Sequence, residues 1–274
     1  MSTFKYHDKS IFYEVTGNDD APKLLILNGI MMSTNSWLPF LDTLNQHFQL
    51  IRLDFLDQGQ SDKMTEEYNQ DLQVDVIRVL LGHLNIDKVN IAGISYGGEV
   101  ALLFACAYPE YVNRLILFNS SAYTNPWLKD IGEAWIQAGK TRNGKLYYNT
   151  TIPVIYSEEY YEKRYAWMKN REKLLVPIFS NPIFLDAMER LTKSAESFDV
   201  REKLDELIKP VLIVTAEADG LTPKKDQEYL HKNIKNSKWV IIPNTGHASM
   251  YENPAIFTTL ITGFFLIKDI DYNI

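Results

Sequence analysis

Val89-Asn90-Ile91-Ala92-Gly93-Ile94-Ser95-Tyr96-Gly97-Gly98-Glu99-Val100-Ala101-Leu102-Leu103-Phe104-Ala105-Cys106-Ala107 joins two kinds of local structure in nineteen residues. Its first residues are apolar at almost every position, the pattern of a short strand covered on both faces. Its last residues are small and apolar nearly all round, the pattern of a buried helix. Between them, Gly93-Ile94-Ser95-Tyr96-Gly97 matches G-x-S-x-G, a sharp strand-to-helix turn. Glycines are needed there because side chains would strike the neighbouring backbones, and the turn lifts the serine hydroxyl above the sheet edge. The hydroxyl then stands at the positive end of the following helix. The motif is short, and its weight comes from the strand before it and the helix after it.

Further short apolar runs lie on either side, at 23–28, 50–54, 115–118, 211–215 and 239–242. Helical patterns separate them: 71–84 places Leu72, Val76, Val79, Leu80 and Leu84 along one stripe, and 95–108 follows the serine. This alternation predicts an α/β fold, a mostly parallel doubly wound sheet with helices on both faces. Residues 4–15 alternate around Asp8-Lys9-Ser10 and predict an N-terminal β-hairpin. From 121 to 200 the alternation stops. Helical patterns at 126–138, 158–170 and 182–193 occur there without a buried strand, and the stretch holds 13 of the 34 Phe, Trp and Tyr. The expected organisation is therefore a core of 1–120 and 201–274 interrupted by an inserted helical cap, 121–200. Its aromatics suit either a small core of the cap's own or the lining of an apolar pocket, and the sequence leaves both open.

Composition narrows the function. With 28 Lys+Arg against 35 Asp+Glu, a net charge of -7 disfavours a general partner of nucleic acid or anionic membrane. No apolar run approaches a membrane span, and the first residues lack the apolar core of a signal peptide, so a cytoplasmic location is expected. One cysteine, Cys106, excludes an internal disulfide and is read as a small core residue of the helix after the turn. No metal is expected, because the five histidines show no paired ligand spacing.

A serine nucleophile needs a base, and the base needs an orienting carboxylate. His247 lies in Asn244-Thr245-Gly246-His247-Ala248-Ser249-Met250, directly after the last strand run, and Asp219 lies in Ala216-Glu217-Ala218-Asp219-Gly220-Leu221-Thr222-Pro223, directly after the run before it. Parallel strands deliver such loops to one sheet edge, so Ser95, Asp219 and His247 are expected to converge. Glu217 is the weaker alternative acid, being closer to the strand end. Asn119 occupies the other common place for the acid but cannot be an anion. His7, His47, His83 and His231 read as surface or capping residues. The charge that develops on a substrate oxygen needs backbone N–H donors, expected from Tyr96 and, in the loop Asn28-Gly29-Ile30-Met31, from Ile30. No dinucleotide or phosphate loop competes, and no cofactor is expected.

These residues, with Gly246-His247-Ala248-Ser249-Met250-Tyr251-Glu252-Asn253-Pro254, resemble the α/β-hydrolase superfamily over nearly the whole chain, and the closest general likeness is to small capped carboxylesterases and enol-lactone hydrolases. The resemblance implies a cofactor-free serine hydrolase acting on a small apolar or aromatic ester or lactone through an acyl-enzyme. Relatives that open epoxides or cleave carbon–halogen bonds use Asp where this chain has Ser95, and the Gly-Gly-Ser-Trp-Gly elbow of proline iminopeptidases is absent. Two departures stand out. Asn28-Gly29 replaces the usual His-Gly, and Asp57 stands at the first glycine of the family's D-x-x-G-x-G-x-S pattern, where an aspartate tolerates positive φ better than most residues. Two other functions share these residues: cleavage of a C–C bond or amide by the same triad, and a hydrolase-like small-molecule binding or signalling protein. The oligomeric state is left open between monomer and homo-oligomer.

Overall fold

Short runs rich in Val, Ile and Leu gain most by being covered on both faces, and six of them line up as parallel strands of one sheet. In the computed structural model, which describes residues 2–267, the strands are β1 Ser2–Tyr6, β2 Lys9–Thr16, β3 Lys23–Leu27, β4 Gln49–Leu53, β5 Val89–Ile94, β6 Val112–Phe118, β7 Val211–Ala216 and β8 Ser237–Ile242. Met1 and residues 268–274, which belong to the expected core, lie outside the described residues. The sheet order is β1-β2-β4-β3-β5-β6-β7-β8, with β1 and β2 antiparallel additions to a parallel body. The helices are α1 Leu41–Leu44, α2 Asp71–His83, α3 Tyr96–Ala107, α4 Pro126–Lys140, α5 Gly144–Thr151, α6 Glu158–Lys163, α7 Tyr165–Phe179, α8 Pro182–Ser194, α9 Lys224–Asn233, α10 Ser249–Glu252 and α11 Pro254–Leu266.

After β3 the chain adds β4 on one side and β5 on the other, so the strand order reverses there and a crevice opens beyond the carboxyl ends of β3 and β5. The pairing Leu27↔Gly93 sets the loop after β3 beside the Ser95 turn. Two apolar clusters cover the sheet. One holds Val76, Ile77, Leu80, Val100, Phe104 and much of the α4–α8 region; the other holds Trp37, Phe40, Phe257, Ile261 and Phe265. Each such side chain contributes about 1.5–3 kcal/mol by leaving water. No described helix is long and apolar enough to cross a membrane.

Several local expectations need correction. The hairpin turns at His7-Asp8, with His7 at φ 52°, not at 8–10. The buried face of α2 is Gln73, Val74, Val76, Ile77, Leu80 and Leu81, while Val79 is exposed. A buried glutamine misled the stripe: the Gln73 amide accepts from Leu56 N at 3.2 Å and donates to Leu56 O at 3.2 Å, so a polar residue occupies the inner face. The run at 239–242 is not covered on both faces, because β8 is an edge strand and stays half-buried. Cys106 is also half-buried rather than core, since the last turn of α3 faces the segment Arg201–Glu206.

Between β6 and β7 stand the five helices α4–α8. An isolated antiparallel bridge, Tyr123↔Asp199, joins the points where the chain leaves and rejoins the sheet. The expected helix at 158–170 is two, α6 and α7, broken at Arg164 (φ -108°, ψ 23°), and α5 was not expected. Side-chain caps start four of these helices: Asn125, Asn143, Ser157 and Asn181 accept from Leu128, Leu146, Tyr160 and Ile183 N–H groups. Each cap is worth about 1 kcal/mol.

Candidate active site

Ser95 is the N-cap of α3 at φ 53°, ψ -122°, outside the regions a side-chain-bearing residue prefers. Such strain persists only where neighbours over-determine it. Here Ser95 N donates to Phe118 O at 2.9 Å, while Ser95 O accepts from Gly98 N at 2.8 Å, Glu99 N at 3.1 Å and Ser120 Oγ at 3.2 Å. At Gly97 an added Cβ would lie 2.4 Å from Leu27 O, so glycine is what lets α3 start against β3.

Asp219 is buried in the loop after β7 and is held before it meets any partner across the sheet. Its Oδ1 accepts from Leu221 N at 2.8 Å and Thr222 N at 3.0 Å, and its Oδ2 accepts from Thr222 Oγ1 at 2.8 Å. The same Oδ2 lies 2.7 Å from His247 Nδ1. A carboxylate can only accept, so it places the imidazole proton on Nδ1 and leaves Nε2 as the basic nitrogen.

The His247 loop is fixed by residues whose holding contacts the sequence does not indicate: Asn119, Glu217 and Glu252. Asn119 (φ 49°) donates from Nδ2 to His247 O at 2.6 Å and to Ser249 Oγ at 3.0 Å, and accepts from Ala216 N at 3.1 Å. It thus ties β6, β7 and the histidine loop together. Glu217 accepts from Asn244 N at 3.1 Å, a turn contact at the base of that loop. Glu252 Oε1 accepts from Ser157 N at 2.8 Å, and its Oε2 accepts from Ser157 Oγ at 2.6 Å and Gly246 N at 3.0 Å. Ala248 N donates to Ile155 O at 2.9 Å. Both neighbours of His247 are therefore linked to residues 155–157, so closely that a Cβ on Gly246 would lie 2.2 Å from Ser157 N.

Ser95, His247, Ile30 and Tyr96 border one cavity of about 200 Å³ in the crevice at the strand-order reversal. The backbone N–H groups of Ile30 and Tyr96 donate to no acceptor among the described residues. The Ile30 loop is fixed from below. Gln58 Nε2 donates to Gly29 O at 2.9 Å and Ile30 O at 3.2 Å, and Gln58 Oε1 accepts from Asn28 Nδ2 at 3.0 Å. Asn28 also donates to Leu53 O at 2.8 Å and accepts from Trp37 Nε1 at 2.7 Å, so this asparagine is a fully bonded strut. Asp57, at φ 72°, stands in the left-handed region; its carboxylate bonds Arg190 of α8 and does not border the cavity.

Both expected uses occur among the aromatics of 121–200. Trp135, Tyr156 and Phe179 border the cavity beside Ile152 and Leu175, whereas Tyr147, Tyr148 and Phe184 pack in a ring cluster that shares Phe179. A buried carboxyl interrupts the apolar wall. Glu99, one helical turn beyond Ser95, is 7% exposed and accepts from Gln70 Nε2 at 2.7 Å. Burial pushes it up to about 7, against the opposing pull of the Gln70 hydrogen bond and of nearby His247. The other histidines serve elsewhere: His83 contacts Tyr13 Oη at 3.1 Å and His231 contacts Ser237 Oγ at 2.8 Å. Among the described residues no three His, Cys, Asp or Glu side chains group as a metal site.

Comparison with known proteins agrees with this architecture. A family model described as alpha/beta hydrolase fold matches residues 22–148, and one described as TAP-like protein matches residues 188–268. The crystal structure of MGS-M2, an alpha/beta hydrolase enzyme from a Medee basin deep-sea metagenome library, is 48% identical over 100% of both chains, with a TM-score of 0.97. The 3-oxoadipate enol-lactonase 1 of Acinetobacter baylyi is 26% identical over 258 residues, 93% of each chain. The enol-lactonase of Burkholderia xenovorans LB400 shares the fold at a TM-score of 0.86 and 18% identity, covering 97% of this chain and 100% of the other.

Proposed function

Because the chain belongs to the alpha/beta-hydrolase family, we propose that it is a serine-dependent hydrolase that cleaves a small carboxylic ester or lactone through an acyl-enzyme intermediate. The observation that carries this reading is the 2.7 Å contact of Asp219 with His247 on the border of the same cavity as the strained Ser95 turn. In this reading His247 Nε2 takes the Ser95 proton as Oγ attacks the carbonyl carbon. The Ile30 and Tyr96 N–H groups hold the resulting oxyanion, and Asp219 stabilises the imidazolium. His247 then returns the proton to the leaving alcohol, and water, activated by the same nitrogen, releases the acid. The helices at 121–200 act as a lid whose Trp135, Tyr156 and Phe179 exclude water from an apolar or aromatic substrate.

The test is turnover of p-nitrophenyl acetate and butyrate and of simple γ-lactones by the protein and by Ser95→Ala. The variant should lose activity by at least ~10³-fold. Equal turnover by both proteins would overturn the assignment. Labelling of Ser95 by a fluorophosphonate, confirmed by peptide mass, reports the nucleophile independently of the substrate chosen. Labelling without turnover of any ester or lactone would favour the amide, C–C bond or binding-protein alternatives.

A further inference from the structure

Arg171, on α7, borders the same cavity as Ser95 and His247, and its charge is not used by the mechanism above. Its guanidinium carbon lies 5.4 Å from the ring centre of Trp167 and 5.0 Å from that of Tyr251. The group is half-buried, its Nε is wholly shielded without a hydrogen-bond partner, and it makes no ion pair with any described residue. Its neighbours show how unusual this is. Arg142 pairs with Asp186 and Arg190 with Asp57, while Glu172, next in sequence to Arg171, is occupied by Lys145 and Lys169. Glu99 and Glu196 also border the cavity, yet neither pairs with Arg171.

Aromatic faces stabilise a guanidinium and fix its plane, but they offer no acceptor to its N–H edge. With Nε shielded, the donors left are those of the two terminal nitrogens. A partly desolvated arginine without a counter-ion is a costly arrangement that an incoming anion relieves, and the planar fork matches a carboxylate. Among the described residues the only other Lys or Arg on the cavity border is Lys129, which is exposed, so a single half-buried positive charge suits a monoanion better than a phosphate dianion. We infer that Arg171 forms an anion subsite, and that the ester taken by this cavity carries a carboxylate remote from its scissile bond. This specificity rests on the serine-hydrolase reading; the subsite itself does not.

The experiment compares monoethyl and diethyl esters of succinate, glutarate and adipate by pH-stat, with Arg171→Met and Arg171→Lys beside the parent protein. The parent should prefer one half-ester over its diester by at least tenfold in kcat/KM. Arg171→Met should reduce that ratio at least tenfold, mainly through KM, with Arg171→Lys between the two. Thermal melts identify a variant that fails to fold, and the lysine variant then carries the comparison. A parent preference for the diester at every length, or an unchanged ratio in the variants, would overturn the inference. Glutarate binding, read from tryptophan fluorescence, tests the subsite without turnover: it should weaken at least tenfold in Arg171→Met. Inorganic phosphate binding more tightly than glutarate would overturn the carboxylate assignment. If no ester is cleaved and Ser95 is not labelled while glutarate still binds through Arg171, the hydrolase reading fails and the subsite stands.

Discussion

Arg190 Nε lies 3.0 Å from Asp57 Oδ2, and Arg190 Nη2 lies 2.6 Å from Asp57 Oδ1, a two-pronged ion pair between α8 and the loop after β4. Asp57 has no exposed side-chain surface and Arg190 only 15%. The pair accounts for the departure at position 57. A glycine would satisfy the positive φ, but only a carboxylate there can hold α8, and Met64 N also donates to it at 3.0 Å.

Arg190→Ala strands the Asp57 charge in a closed site. Removal of one partner from a buried pair costs about 3 kcal/mol. Urea unfolding should show the midpoint falling by a corresponding amount, with Arg190→Ala and Asp57→Ala strongly non-additive in a double-mutant cycle. Additive losses would mean that the two groups act separately.

Asp219→Asn keeps the size of the side chain and the Thr222 contacts, but its amide presents a donor or a neutral acceptor to His247 Nδ1. The wrong tautomer should lower kcat by about 10⁴-fold with a smaller change in KM. Steady-state kinetics on p-nitrophenyl butyrate reads both. A loss below tenfold would remove Asp219 from its proposed role as the group that orients and stabilises His247.

Gln58 touches no reacting atom in the proposed mechanism; it holds the carbonyls of Gly29 and Ile30. Gln58→Ala should let the Ile30 N–H drift from the oxyanion, and misplacement of that order costs about 10²-fold in rate. The loss should appear in kcat and should be largest for poor leaving groups. The conservative Gln58→Glu keeps an acceptor for Asn28 and loses the donor to Gly29 O and Ile30 O, so it should also be impaired.

Glu99 gives the stability a pH dependence with a definite sign. Its folded value, about 7, lies above its ordinary value of 4.5, so between these the folded protein binds the proton that the unfolded chain has lost. Stability from this group is therefore full below pH 4.5, falls as pH rises toward 7, and stays low above it. Glu99→Gln removes the titration and should gain on the parent protein as pH rises through that window, by on the order of 3 kcal/mol at pH 8. Chemical denaturation at pH 4, 6 and 8 checks it. A gap that is constant with pH would mean that Glu99 does not titrate there.

The sequence was most informative where chemistry forces a short local pattern. Ser95 needs a turn that few residues fit, and Asp219 and His247 follow directly on apolar runs, so their places at strand ends could be read without coordinates. The contacts that fix them could not. Asn119 was weighed only as an acid, yet its use lies in an amide that donates and accepts at once across three elements. Gln73 has no place in an apolar stripe, because what draws it inward is the backbone of Leu56, 17 residues away. The end of α6 at Arg164 has no proline or glycine to mark it, and α5 begins at a glycine that local propensity counts against. Arg171 carries no local signal: an unpaired charge is a property of its surroundings.

Glu252 has one carboxylate and two clients, the segment at Ser157 and the amide just before His247. Any outward swing of residues 155–157 must break bonds on both flanks of His247, so this stretch of cavity wall and the histidine behave as one mechanical part. For the proposed mechanism the consequence is that displacing this segment would loosen the base at the same moment, so access and proton transfer would change together.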